Sequence, residues 1–212
     1  MTLYTYFRSS AAWRARIALN LKGLKPDYCF IHLLKDDQHS ADYQHVNPQQ
    51  LIPALVDDKH IIAQSLAIIE YLDETYPEPP LLPKDAAGRA RVRQIAYAIA
   101  CDIHPINNLR VLHYLRDEFQ VTDEQRTQWQ RHWIAKGFDA IEKLLAQSDK
   151  PGRYCHGNTP TLADICLIPQ MGNARRVHVE LTAFPILLRI EETALAHPAF
   201  SAARPEVQPD AQ

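Results

Sequence analysis

Four prolines, Pro77, Pro79, Pro80 and Pro83, fall within seven residues. Such a cluster stops a helix and stiffens a connector, so no regular element can run through it. The chain is therefore read as two parts, residues 1–80 and 84–212. At 212 residues, 46% of them hydrophobic, there is enough apolar side chain for a core in each part.

The first part alternates element types. Thr2 to Phe7 is short and aromatic, as in a strand, and Trp13, Ile17 and Leu21 then recur at helical spacing. Tyr28 to Leu33 reads as a second strand and the polar run Lys35 to Ser40 as a loop. Ala54-Leu55-Val56 and Ile61-Ile62-Ala63 flank the turn candidate Asp57-Asp58, giving a hairpin. A helix follows, with Ser65 as its cap and Leu66, Ile69 and Leu72 on one face. The order β-α-β then β-β-α makes a small mixed sheet covered by helices, with a right-handed first crossover. The second part shows no strand alternation. Helices are expected at 89–101, 107–119, 123–147, 161–177 and 186–197, with Pro169 kinking the fourth. Thr161-Leu162-Ala163-Asp164 fits a capping box, whose role is folding. The tail from Arg204 onward, with Pro205 and Pro209, is expected to be poorly ordered.

Charge and cysteines exclude several functions. Residues 1–80 hold 7 Lys+Arg against 10 Asp+Glu and the remainder 16 against 15, for a net charge of −2. Neither half suits nucleic acid or an anionic membrane. Cys29, Cys101, Cys155 and Cys166 form no CxxC, the ten histidines form no HExxH, and the N-terminus does not resemble a signal peptide. Reduced thiols, no metal site and a cytoplasmic location are the expectation.

Chemistry concentrates at the first strand-to-helix junction, Arg8-Ser9-Ser10. A serine there can cap the helix, and the unpaired amides and helix dipole favour an anion at the same spot, with the Arg8 cation beside it. Plain capping and anion binding are equally compatible with this stretch alone.

The pieces Arg8-Ser9-Ser10, Trp13-Arg14, Asn47-Pro48, Ile52-Pro53, Gln64-Ser65-Leu66-Ala67-Ile68-Ile69-Glu70-Tyr71-Leu72 and Thr161-Leu162-Ala163-Asp164, in that order, resemble the zeta class of the cytosolic glutathione transferases. The class includes maleylacetoacetate and maleylpyruvate isomerases. The resemblance covers residues 2 to about 200 and implies a thioredoxin-like α/β N-terminal domain followed by an all-helical C-terminal domain, glutathione as cofactor, and a homodimer. It also implies a dicarboxylic maleyl keto acid as substrate, isomerised from cis to trans in aromatic-compound or tyrosine breakdown.

Residue by residue, the resemblance places Ser9, Ser10 and the amide of Ala11 at the cysteinyl sulfur, and Ile52 before a cis Pro53 along the cysteinyl backbone. Gln64 and Ser65 are placed at the γ-glutamyl carboxylate, and Gln38 and Gln49 at the glycine end. Each also has a plain structural alternative as a turn, a cap or a solvated loop residue. The segment from Cys101 to Arg110 resembles its counterpart in bacterial maleylpyruvate isomerases, which implies that Asp102, His104, Asn108 and Arg110 face glutathione or substrate. A hydrogen bond between Asp102 and Asn108 that fixes the bend at Pro105 is the competing role. Arg176 matches a substrate-side arginine, whereas its neighbour Arg175 is expected to be solvated. One departure stands out: the class signature usually runs Ser-Ser-Cys-Ser, and here Ala11 and Ala12 occupy the last two positions. Two alternatives remain open on this evidence, a general glutathione transferase or peroxidase and a non-catalytic binding module.

Overall fold

In a computed structural model, residues 1–211 are described and fall into two compact units. The first comprises Met1–Pro80 together with Leu195–Gln212, and the second Leu81–Ala194. The grouping differs from the expected division at 84–212, because the last stretch of chain packs with the first unit.

Four strands form the sheet of the first unit, in the order β2-β1-β3-β4. Strand β1 (Thr2–Thr5) pairs in parallel with β2 (Asp27–Phe30), Leu3 opposite Tyr28, and antiparallel with β3 (Ala54–Asp57), Leu3 opposite Leu55. Strand β4 (His60–Ala63) completes the hairpin through a turn in which Asp58 takes positive φ. The β1–β2 crossover is α1 (Ser10–Leu21), which packs against α3 (Ser65–Thr75). A short helix, α2 (Ala41–Val46), lies between β2 and β3; it was not anticipated, being only six residues long and too short to show a period.

Helix α1 is buried from Ala12 to Leu19, including Arg14 and Arg16, each 1% exposed. Only Trp13, Ile17 and Leu21 revealed its pattern in sequence, because a helix wrapped on all sides has no polar face. Its far side is covered by α10 (Pro198–Ser201) and the tail. The tail is folded, contrary to expectation. Asn20 donates to the Ala199 carbonyl at 3.0 Å, and the Gln208 amide donates to the carbonyls of Ala202 and Arg204 at 3.0 and 2.8 Å. The prolines that suggested disorder start two 3-10 turns, Pro205–Val207 and Pro209–Ala211.

The second unit is helical. Helix α4 (Ala86–Tyr97) runs into a π-helical stretch, Ala98–Ile103, then a one-turn α5 (His104–Ile106), α6 (Leu109–Phe119), α7 (Asp123–Ala146), α8 (Leu162–Arg176) and α9 (Pro185–Leu195). The wider π turn occupies part of the span read as plain helix 89–101, since i→i+5 spacing has no sequence signature. Helix α7 passes this stretch closely: a Cβ on Gly137 would meet the Ile103 side chain at 2.3 Å. Helix α6 stops where Gln120 turns left-handed at φ 55° and its amide returns to the Leu115 carbonyl. Helix α8 continues through Pro169.

The capping box forms at the start of α8. The Asp164 carboxylate accepts the Thr161 amide (2.8 Å), the Thr161 hydroxyl (2.9 Å) and the Cys155 amide (2.8 Å), all inside the core. Burial pushes the Asp164 carboxyl above its usual range despite these donors. Asp164→Ala would leave these donors without a partner. Each costs about 1–3 kcal/mol when buried and unpaired, so the variant is expected to lose about 3 kcal/mol or more of stability. Urea unfolding followed by circular dichroism measures this, and an unchanged midpoint would remove Asp164 from that role.

Candidate functional site

Two helix starts in the first unit carry the chemistry, and they differ. At α1 the N-cap is Ser9, in extended conformation (φ −72°, ψ 114°), and its Oγ accepts the Ala12 amide at 3.2 Å. That bond uses a lone pair and leaves the hydroxyl proton to donate outward. The first amide to bond within the helix is that of Trp13, to the Ser9 carbonyl at 2.8 Å, so the Ala11 amide lies in the orphan first turn. Ser10 is buried and already engaged. Ser9 is half-buried, and Arg8 just ahead of it is exposed.

At α3 the N-cap is Gln64 and not the expected Ser65; it is held at φ 73°, ψ 119°, and its side chain makes no cap hydrogen bond. A non-glycine residue at positive φ outside the left-handed helical region is strained and persists only where its surroundings impose it. Here the Gln64 side chain, through Nε2, donates to Gln49 Oε1 at 2.7 Å. Beneath the helix start, the buried Arg14 guanidinium donates to Ser65 Oγ at 3.4 Å. Orphan amides, a hydroxyl and a buried cation together suit a carboxylate.

Ile52 packs with the first of these starts. It shares a core cluster with Ala12, Tyr6, Ile31 and Tyr43, which ties the first turn of α1 to the loop before β3. The Ile52–Pro53 bond is cis, and Ile52 lies two residues ahead of the Tyr4–Ala54 pair, beyond the β-ladder. The loop is held at Leu51, whose carbonyl accepts both Tyr43 Oη (2.7 Å) and Asn47 Nδ2 (2.6 Å). Of the two further glutamines, Gln49 joins Gln64, whereas Gln38 turns back to Asp36 at 3.2 Å.

The donor set fits a γ-glutamyl-cysteinyl-glycine tripeptide: an uncapped helix start for its α-carboxylate, an extended edge at Ile52 for its backbone, and a hydroxyl at α1 for its sulfur. Arg14 was quoted in the sequence only as part of a motif. Nothing in the local pattern marks it as buried against a residue 51 positions away.

In the helical unit, Asp102 is exposed in the π stretch and His104 opens α5. The expected alternative bond between Asp102 and Asn108 is replaced by others. Asn108 caps α6 by accepting the Arg110 amide at 3.2 Å, Asn107 donates to the Ile103 carbonyl at 2.8 Å, and Trp129 donates to the Ile106 carbonyl at 2.9 Å. Arg110 is exposed in the first turn of α6. Arg176, also exposed, ends α8. Arg175 is not simply solvated: its guanidinium pairs through two nitrogens with the buried carboxylate of Glu191, while Arg131 donates to the Val177 carbonyl. Arg176 thus sits between two anchored neighbours.

Comparison with known proteins identifies the family. The family model for the glutathione S-transferase N-terminal domain matches residues 3–80, and that for the C-terminal domain matches residues 120–203. A probable maleylacetoacetate isomerase of Vibrio cholerae is 49% identical, the match covering 100% of this chain and 98% of that one. Among solved structures, a holo maleylpyruvate isomerase described as a bacterial zeta-class glutathione S-transferase superposes with a TM-score of 0.98 at 48% identity, covering 100% of both chains. A maleylacetoacetate isomerase from Methylobacterium extorquens AM1, with bound malonate and glutathione, gives 0.97 at 38% identity, also over 100% of both. With Ser9 at one helix start, Gln64-Ser65 at the other and a cis Pro53 between them, the chain belongs to the glutathione S-transferase family, in the zeta class of maleylacetoacetate and maleylpyruvate isomerases.

Proposed function

We propose that the protein is a glutathione-dependent isomerase that converts a maleyl keto acid from the cis to the trans form. The observation that carries the reading is the pair of unlike helix starts, one able to donate a hydroxyl to sulfur and the other open to a carboxylate over the buried Arg14. Full-length relatives named as isomerases of this type support it, as does the one that holds malonate, a dicarboxylate, with glutathione.

When bound, glutathione supplies a thiolate that adds reversibly to a conjugated cis double bond, leaving a single bond about which the carbon chain can turn, and it is not consumed. The protein's task at α1 is to keep that sulfur ionised. A free thiol has a pKa of about 8.5, and lowering it by about two units needs roughly 2.7 kcal/mol of preference for the anion. A hydrogen bond from Ser9 Oγ, one from the Ala11 amide and the positive end of α1 contribute about 1 kcal/mol each. No side-chain base is needed. Ser9 is the better placed of the two serines, being half-exposed with a proton to donate, while Ser10 is buried.

Gln64 and Ser65 hold the γ-glutamyl carboxylate, the Ile52 backbone holds the cysteinyl unit before cis Pro53, and Gln49, with Gln38, serves the glycine end. Arg8, Arg110 and Arg176 recognise the substrate carboxylates and stabilise negative charge developing on the ketone oxygen, through charge-assisted hydrogen bonds. Asp102, His104 and Asn108 shape the same region of the helical unit. A cytoplasmic homodimer is part of the same reading. No helix among the described residues is long and apolar enough to cross a membrane.

Incubation with maleylacetoacetate and with maleylpyruvate, each with and without glutathione, tests the activity. Formation of the fumaryl isomer at constant glutathione concentration is expected, whereas loss of one thiol per product would identify a conjugating transferase instead. Ser9→Ala is expected to raise the pKa of the bound thiol by about one unit, a tenfold change in the ionisation constant; an unmoved ultraviolet thiolate titration would remove Ser9 from that role. For Arg176→Ala, turnover of the dicarboxylate should fall about 100-fold or more, as when one transition-state donor is lost, with little change in glutathione affinity. Equal losses in both would refute the assignment.

A further inference from the structure

The loop that leads into α1 is gripped from two sides by groups distant in sequence. On one side the buried Arg16 donates to Thr5 Oγ1 (3.0 Å), to the Tyr6 carbonyl (3.3 Å), to the Phe7 carbonyl (3.0 Å) and, through Nε, to the Ala203 carbonyl (3.2 Å). On the other, Asp210 Oδ2 accepts the Phe7 amide at 2.8 Å. The Tyr6 carbonyl that receives Arg16 also receives the Ser9 amide, at 3.0 Å. A continuous set of bonds therefore runs from the tail, through the Phe7 peptide and the Tyr6 carbonyl, to the residue that caps α1. Charge matches the geometry. Arg16 is lowered by burial to about 10, with Asp210 acting against that fall, so it stays cationic near neutrality. Burial raises the Tyr6 hydroxyl above its usual range, with Arg8 opposing that rise and Asp210 adding to it.

We propose that Asp210 is a positioning residue for the isomerase reaction: the tail closes a frame, Asp210 on the Phe7 amide and Ala203 on Arg16, that fixes where Ser9 and the first amides of α1 point. The proposal rests on the reading of Ser9 as the donor to the sulfur. It assigns work to a stretch that lies outside both helix starts.

The sign of the effect separates positioning from plain electrostatics. A carboxylate near a thiolate opposes ionisation, so if Asp210 acted only through its charge, removing it would lower the thiol pKa. If it positions Ser9, removing it raises the thiol pKa. Asp210→Ala, Asp210→Asn and Ser9→Ala are compared with the parent enzyme by ultraviolet titration of bound glutathione and by kcat and KM for the keto acid. The alanine variant is expected to raise the thiol pKa by about half a unit or more and to lower kcat about tenfold, as small misplacements do, with KM for the keto acid nearly unchanged. The asparagine variant keeps an oxygen for the Phe7 amide and should recover most of the loss. An unchanged or lowered thiol pKa in Asp210→Ala, or an asparagine variant as impaired as the alanine one, overturns the proposal. Should the alanine variant not fold, Asp210→Asn decides alone: a thiol pKa close to that of the parent supports positioning, and a clear fall refutes it. If Ser9→Ala leaves the titration unmoved, it is the reading of Ser9 that fails; if it shifts the titration and Asp210→Ala does not, the tail proposal fails by itself.

Discussion

Two guanidinium groups buried on one helix set the terms for the whole first unit. Moving a cation out of water costs several kcal/mol unless its donors are satisfied, and Arg14 and Arg16 are both almost wholly inside. Arg16 solves the problem with backbone carbonyls gathered from the β1–α1 loop and from the tail, and this forces the loop into one conformation. Arg14 reaches the start of α3, so the helix that presents Ser9 is also locked to the helix that presents Ser65. The site inherits its geometry from the packing of these two cations.

On the proposed reading of Ser9, that arrangement lets a small hydroxyl suffice for thiol chemistry without a neighbouring base. A hydroxyl and one or two amides are individually weak, and their effect depends on being already aimed when the sulfur arrives. Rigid attachment to α1, the core cluster joining Ala12 to Ile52, and the strained Gln64 held by Gln49 supply that aim. The absence of the class cysteine and its following hydroxyl at Ala11 and Ala12 is consistent with a mechanism resting on Ser9 and on backbone donors.

Local features of this fold were legible in the sequence, and distant ones were not. The hairpin, the Ser9 cap and the Thr161–Asp164 box could be read because each depends on residues within a turn of one another, whereas the cap expected at Ser65 falls one residue earlier, on Gln64. The π stretch at Ala98–Ile103 was missed because helical periodicity hardly changes across it. Nothing in the sequence marked Arg14 and Arg16 as buried, since groups that accept from them lie up to 187 positions away. The tail's prolines and polar residues resemble those of a loose end, and only Asp210 meeting Phe7 across 203 positions reveals otherwise. Arg175 was taken for a solvated control for the same reason, its buried partner Glu191 being on another helix.

The folded tail also bears on how the enzyme is made. A ribosome releases residues 1–80 first, but the chain must extend through the entire helical unit before Ala203 and Asp210 emerge. Until then Arg16 lacks part of its coordination and the Phe7 amide has no acceptor. On the proposed reading of Ser9, the frame behind it therefore closes only after residues 203 to 210 have been made.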